Sequence, residues 1–168
     1  MMPKLEEMAA PARQAILDAV DRRLLRELQQ DASLTNQALA ERCHVSPATC
    51  LRRVRRLQEA GALQRRVALL DPDALGGVLQ AVCEVVLDRQ GAEHLDAFEL
   101  AATRHPAVQQ LYRVSAGPDF VLILAVPSMQ AWGGVVQALF TQNANVRNVK
   151  TFFVTQRGKF DPGFDCLL

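Results

Sequence analysis

The chain has no apolar run close to the roughly 18–20 residues of a membrane-spanning helix. Its opening, MMPKLEEMAAPARQAI, lacks the apolar centre of a secretory signal and reads as a short polar tail. Four cysteines, at positions 43, 50, 83 and 166, show no disulfide-framework spacing. Together these absences point to a reducing cytoplasm and away from a membrane. No paired carboxylates, nucleophile–base set or phosphate-cradling loop stands out, so neither an enzyme nor a bound cofactor is expected. There is no internal repeat and no low-complexity segment.

What is present is the composition of a globular protein, with 49% hydrophobic and 22% charged residues. A length of 168 residues suits one ordinary domain or two small ones. The net charge of +1 hides a division. Residues 1–70 carry 12 Lys/Arg against 8 Asp/Glu, a net +4, whereas residues 71–168 carry 7 against 10, a net −3. Within residues 40–70 the count is 7 against 2. Such a concentrated basic patch fits a phosphate backbone, or else a solvated helix face.

The N-terminal half reads as a chain of helices. Asp18 is placed to cap a first helix and Asp21 adds favourable charge in its first turn, with Val20, Leu24, Leu25 and Leu28 at helical spacing. Thr35 caps a second, short helix, framed by Leu34 and Leu39 as a hydrophobic staple and ending at His44. Ser46-Pro47 opens a third, serine as the cap and proline in the first turn. Cys50, Val54 and Leu57 form its inward stripe, Thr49, Arg52, Arg53 and Arg56 the opposite one, and Gly61 ends it. Residues 63–70 look extended and carry Arg65 and Arg66 until Asp71-Pro72-Asp73 breaks the run.

Two helices joined by a tight turn, the second one basic, describe a helix-turn-helix that reads double-stranded DNA. The N-terminal end of the second would enter the major groove. Ser46 starts it, and Pro47, Ala48, Thr49 and Arg52 are best placed for base edges. Arg53 and Arg56 fall further along, toward phosphates, and Arg65 and Arg66 would form a flanking wing. His44 stands where the turn needs a left-handed residue, at a cost on the order of 1 kcal/mol. Cys43, His44 and Cys50 invite a metal-ion reading. The two cysteines fall on apolar helix faces and no second pair completes a ligand set, so no metal site is expected.

From about residue 74 the texture changes. Residues 78–88 read as a strand, 93–104 as a helix, 108–115 and 120–126 as strands around a Gly117-Pro118-Asp119 turn, 128–140 as a helix and 146–156 as a last strand. The order βαββαβ is the ferredoxin-like pattern. The fold class is therefore α+β, a winged helix-turn-helix domain followed by a ferredoxin-like domain. Residues 1–16 form the tail, 17–72 the first domain with a linker strand, and 73–168 the second. Two strands of the second are apolar on both sides, but helices cover only one face of such a sheet. A second copy of the sheet is the simplest cover for the other.

The run LDAVDRRLLRELQQDASLTNQALAERCHVSPATCLRRVRRLQEAGALQRRVALLDPDALG, residues 17–76, strongly resembles the N-terminal half of the Lrp/AsnC transcriptional regulators. A D-x-x-D opening, the VSP turn and an R-V-x-x-L-x-x-x-G close carry the match, which continues more weakly through VSAGPDF and VKTFFV to about residue 156. The resemblance implies a DNA-binding transcriptional regulator whose C-terminal domain binds a small effector, commonly an amino acid. It also implies pairing through sheets into homodimers that assemble into tetramers or octamers. A Gly-x-x-Asp-type loop would shape the effector pocket, here Ser115, Ala116, Gly117, Asp119 and Phe120, with Tyr112 and Thr151 as further lining. Ala116 stands where the family often has glycine, and Gly117 comes one place later. Some tetrapyrrole-modifying decarboxylases resemble the same family. With one Tyr and three His the chain is poorly equipped for such a cofactor pocket.

Overall fold

The computed structural model describes residues 17–164. The chain divides into two compact units, one running to Leu69 and resuming at Asp161, the other spanning Leu70–Phe160. The sequence reading places everything from residue 73 onward in the second domain. Residues 161–164 instead fall with the first unit, where the Phe164 N–H donates to Gln29 Oε1 at 2.7 Å. Pro162 and Phe164 line an apolar cavity of about 390 Å³ there with Leu25, Leu28 and Leu63.

The first unit holds three helices, α1 (Ala19–Gln30), α2 (Asn36–Arg42) and α3 (Pro47–Glu59). Each begins as the cap residues dictate. Asp18 accepts from the Val20 and Asp21 N–H groups while Asp21 answers to the Asp18 N–H, a reciprocal capping box. Thr35 accepts from Ala38 N–H, and Ser46 from Thr49 N–H with Pro47 behind it. Leu24, Leu28, Leu39, Cys43, Cys50, Val54 and Leu57 pack as one buried core. His44 has φ 55° and Gly61 φ 73°, so both ends that needed a left-handed residue have one. Residues 63–70 pair with no strand among the described residues, so Arg65 and Arg66 ride on an irregular segment rather than a β-wing.

In the second unit β1 (Leu79–Leu87), α4 (Ala92–Arg104), β2 (Val108–Arg113), β3 (Phe120–Val126), α5 (Met129–Val135) and β4 (Val146–Phe153) follow in the expected order. A wider π-helical turn, Val136–Thr141, extends α5. The sheet order is β2-β3-β1-β4 with every neighbour antiparallel. Alternation decides which side is core. Ala81, Cys83, Val85 and Leu87 of β1 and Phe120, Leu122, Leu124 and Val126 of β3 are buried with Phe98, Ala102, Trp132, Val135, Leu139 and Phe140 from the helices. The Phe98 and Phe120 rings lie 4.8 Å apart.

The register fixes the opposite face as well. Val82 sits beside Ile123 and Phe152, and Glu84 beside Val121 and Lys150. Tyr112 sits beside Val121. On this face Val82, Val121 and Ile123 are half-buried, while Tyr112 and Phe152 stay 52% and 44% exposed.

Candidate nucleic-acid interface and ligand loop

Helix α3 presents its outer surface through the spacing 48, 51, 52, 55. Ala48, Leu51, Arg52, Arg55, Arg56 and Glu59 line one open depression on it. Leu51 is 44% exposed, a large apolar side chain in solvent on a charged helix. Arg52 and Arg55 have no ion-pair partner among the described residues, and neither do Arg65 and Arg66, so these guanidiniums are available to an anion. Ser46 and Thr49 are tied together, the Ser46 hydroxyl donating to Thr49 Oγ1 at 2.9 Å, and Asn36 donates to the Pro47 carbonyl at 2.9 Å. The start of α3 is thereby fixed to the start of α2. Pro47 and Ala48 are exposed, and Thr49 is half-buried.

Arg53 departs from the expected outward stripe. Its Nη1 donates to Asp18 Oδ2 at 2.6 Å and to Asp21 Oδ1 at 2.9 Å, and its Nε is buried without a partner among the described residues. It faces α1 because its position borders the Cys50–Val54–Leu57 stripe, and two carboxylates at the α1 N-terminus draw it there. Arg56 is shared. It donates to Asp21 Oδ2, yet its side chain remains 52% exposed. The hydrogen bond from Arg53 holds the Asp18 carboxyl down at about 2, well below its ordinary 3.8. The same contacts, first from Asp18 and then Asp21, push the Arg53 guanidinium up. Arg55 and Leu51 are the residues that sequence reasoning passed over. The signal for both was the spacing from Ala48 on the side opposite the core stripe.

Cys43 and Cys50 are fully buried in the helical core, and burial pushes both thiols up. They act there as small apolar side chains, while His44 is exposed at the turn.

In the second unit the candidate loop lies between β2 and β3. Ala116 has φ 65° and Gly117 φ 123°, so two successive left-handed residues form its tip. Ser115, Ala116 and Gly117 are exposed. Asp119 anchors the loop: its Oδ2 accepts from Leu87 N–H at 2.7 Å and from Gln90 Nε2 at 3.3 Å. Its own N–H donates to the Val85 carbonyl at 2.9 Å.

The other lining residues expected from the sequence are placed apart. Phe120 is fully buried in the helix-side core, where its ring packs on Phe98. Tyr112 and Thr151 lie far apart on the sheet. They belong to opposite edge strands and opposite faces, since Thr151 pairs with the helix-side Cys83 whereas Tyr112 lies on the other side of the sheet. Thr151 Oγ1 lies 3.4 Å from Cys83 Sγ, and Tyr112 donates to Gln110 at 2.7 Å.

Residues 17–64 match the winged helix-turn-helix DNA-binding family, and residues 80–164 the Lrp/AsnC ligand binding domain. The chain is 39% identical over 143 residues to a leucine-responsive regulatory protein of Rhizobium meliloti, covering 85% of this chain and 92% of that one. It is 33% identical to the leucine-responsive regulatory protein of Escherichia coli, covering 85% and 87%. Among solved structures, an AsnC family transcriptional regulator from Agrobacterium tumefaciens superposes with a TM-score of 0.80 at 28% identity, covering 88% of this chain and 96% of that one. A transcriptional regulator from Neisseria meningitidis in complex with L-Met gives 0.80 at 28% identity, covering 90% and 99%. The three-helix unit with its basic third helix, the antiparallel βαββαβ unit and these likenesses agree: the chain belongs to the Lrp/AsnC family of DNA-binding transcriptional regulators.

Proposed function

We propose that this regulator reads its operator with the outer face of α3, through Ala48, Leu51, Arg52 and Arg55, and that Arg65 and Arg66 steady it on the backbone. The observation that carries the reading is the guanidinium pair of Arg52 and Arg55, unpaired among the described residues, beside an exposed Leu51. Arg52 suits bidentate contact with guanine, and Leu51 and Ala48 suit the methyl group of thymine. Arg56 reaches phosphate only by loosening from Asp21, so it contributes less than a free arginine. Arg53 is not a DNA contact in this reading. The test is fluorescence anisotropy on a duplex carrying the DNA upstream of the protein's own gene. Arg52→Ala should cost about 1–3 kcal/mol there and relax the preference over a scrambled duplex. Unchanged affinity and preference in both Arg52→Ala and Arg55→Ala would refute the placement.

The open face of the sheet supports a homodimer, with Val82, Val121, Ile123 and Phe152 of one copy packing on those of another, and higher assemblies built from such dimers. The regulator acts in the cytoplasm, where the DNA is. Among the described residues no helix is long and apolar enough to cross a membrane. It acts without catalysis, its output being a shift between states of different DNA affinity.

The effector we favour is an amino acid held at the β2–β3 loop between copies. The L-Met complex of the Neisseria relative and the left-handed Ala116–Gly117 tip support this. Asp119 shapes the loop through Oδ2 and offers its other oxygen to an α-amino group, with Ser115 and Tyr112 exposed nearby in sequence. Thermal-shift screening of the twenty amino acids tests it. A melting temperature raised by one or a few of them is expected, and no response to any would count against an amino-acid effector.

A further inference from the structure

One buried charge remains outside the functions assigned above. Asp21 is 0% exposed, on α1, in a unit whose core is otherwise apolar. Burying a carboxylate is unfavourable unless it is fully paired, and even a well-made buried ion pair seldom outdoes an apolar replacement in stability. Its pairing is unusually complete. Oδ1 accepts from Arg53 at 2.9 Å, and Oδ2 from Arg56 and from the Asp18 N–H at 3.1 Å. Arg53 and Arg56 lie one turn apart on α3. A single fixed carboxylate that engages both measures the rotation of α3 about its axis as well as its position along it. The capping box makes Asp21 a firm reference, because Asp18 holds its backbone and joins it in gripping Arg53 at 2.6 Å.

We propose that Asp21 and Arg53 are positioning residues for DNA reading, locking the rotation of α3 that turns Leu51, Arg52 and Arg55 outward, without touching DNA themselves. The proposal rests on the reading of α3 given above. Both residues serve specificity in it. A loosened α3 still carries its positive charge, so attraction to any DNA persists while the match to one sequence is lost.

The test uses the full chain and two probes: a duplex that the wild-type protein selects from a randomised pool, and a scrambled duplex of the same composition. Affinity for each is measured across a salt series in wild type, Asp21→Asn, Arg53→Met, Arg53→Lys and the double variant Asp21→Asn/Arg53→Met. Circular dichroism melts identify the temperature at which every variant is folded. Asp21→Asn keeps the shape of the side chain but turns one of its two accepting oxygens into an amide donor, and it guards against plain unfolding of the harsher variants.

Positioning predicts at least a 10-fold loss on the selected duplex and less than 3-fold on the scrambled one. In the Arg53 variants the salt slope should be unchanged, Arg53→Lys should stay within 3-fold of Arg53→Met, and the double variant should be no worse than the poorer single one. Lysine fails because its ammonium stands one bond nearer the backbone than Arg53 Nη1, the single nitrogen that donates to both carboxylates. An equal loss on both duplexes, with the slope reduced by about 0.9 for each copy of α3 engaged and recovery by lysine, would make Arg53 a phosphate contact and overturn the proposal. Lowered melting temperatures with unchanged affinities would overturn it in favour of a stabilising role alone. Failure of the wild-type protein to discriminate the two duplexes would overturn the reading of α3 itself, and this proposal with it.

Discussion

Replacing Asp119 with alanine removes one carboxylate oxygen that accepts from the Leu87 backbone N–H at 2.7 Å and the Gln90 amide at 3.3 Å. Leu87 is 1% exposed, at the end of a central strand. A hydrogen bond to a charged acceptor contributes about 1.5–3 kcal/mol, and a buried donor left unpaired costs about the same. The second bond is long and involves an exposed amide, so it adds little. The backbone bonds Asp119 N–H to Val85 and Val114 N–H to Asp119 survive the change. The expected loss is therefore about 2 kcal/mol, roughly 10 °C in the melting of a unit this size. Urea denaturation followed by circular dichroism reads it as a lower midpoint at unchanged slope. Asp119→Asn keeps an acceptor and should lose about half as much. A change below about 0.5 kcal/mol in the alanine variant would show that the carboxylate does not hold the loop, and the structural account of the β2–β3 turn would fail.

Ala116 holds φ 65° at an exposed position, so Ala116→Gly should relieve about 1–2 kcal/mol of strain against about 0.4–1 kcal/mol of unfolded-state entropy. A small rise in the denaturation midpoint checks this. Phe120→Ala should destabilise the second unit by about 3–5 kcal/mol because the ring is fully buried against Phe98, whereas a ligand-lining phenylalanine would cost far less in the same urea titration. The Asp18 carboxyl titrates at about 2 when folded and near 3.8 when free. Its stabilising contribution is thus complete above pH 3.8 and disappears as pH falls through about 2. Midpoints measured across that window should fall less steeply in Asp18→Asn than in wild type.

Most of the fold was legible because local signals and hydrophobic period agreed. Asp18, Thr35, Ser46 and Ser128 each cap the helix they precede. The strand from Phe120 to Val126 alternates fully buried with half-buried, as a run apolar on both sides should in a sheet with one covered face. His44 was identifiable as the turn residue for lack of a glycine, and it takes the left-handed angle that the turn demands. What could not be read was partnership across distance. Arg53 looks like one more arginine on a basic helix, and only the fold brings Asp18 and Asp21, more than 30 positions earlier, against it. Thr151 and Tyr112 looked equally eligible as lining residues because a strand pattern gives faces only relative to its own neighbours. The pairing register separates them. Residues 161–164 carry no strong pattern, and their return to the first unit depends on contacts such as Phe164 with Gln29.

Selection from a pool of random duplexes by the full-length protein tests the central claim most directly. The account predicts strong enrichment of one sequence with two-fold symmetry, its half-sites roughly one turn of DNA or a multiple apart, as two copies of α3 on a symmetric dimer require. It also predicts that the Arg52→Ala protein enriches a degenerate version of the same site. A pool that emerges with no consensus, or the same consensus from wild type and from a variant with both Arg52 and Arg55 replaced by alanine, would show that α3 does not read the DNA.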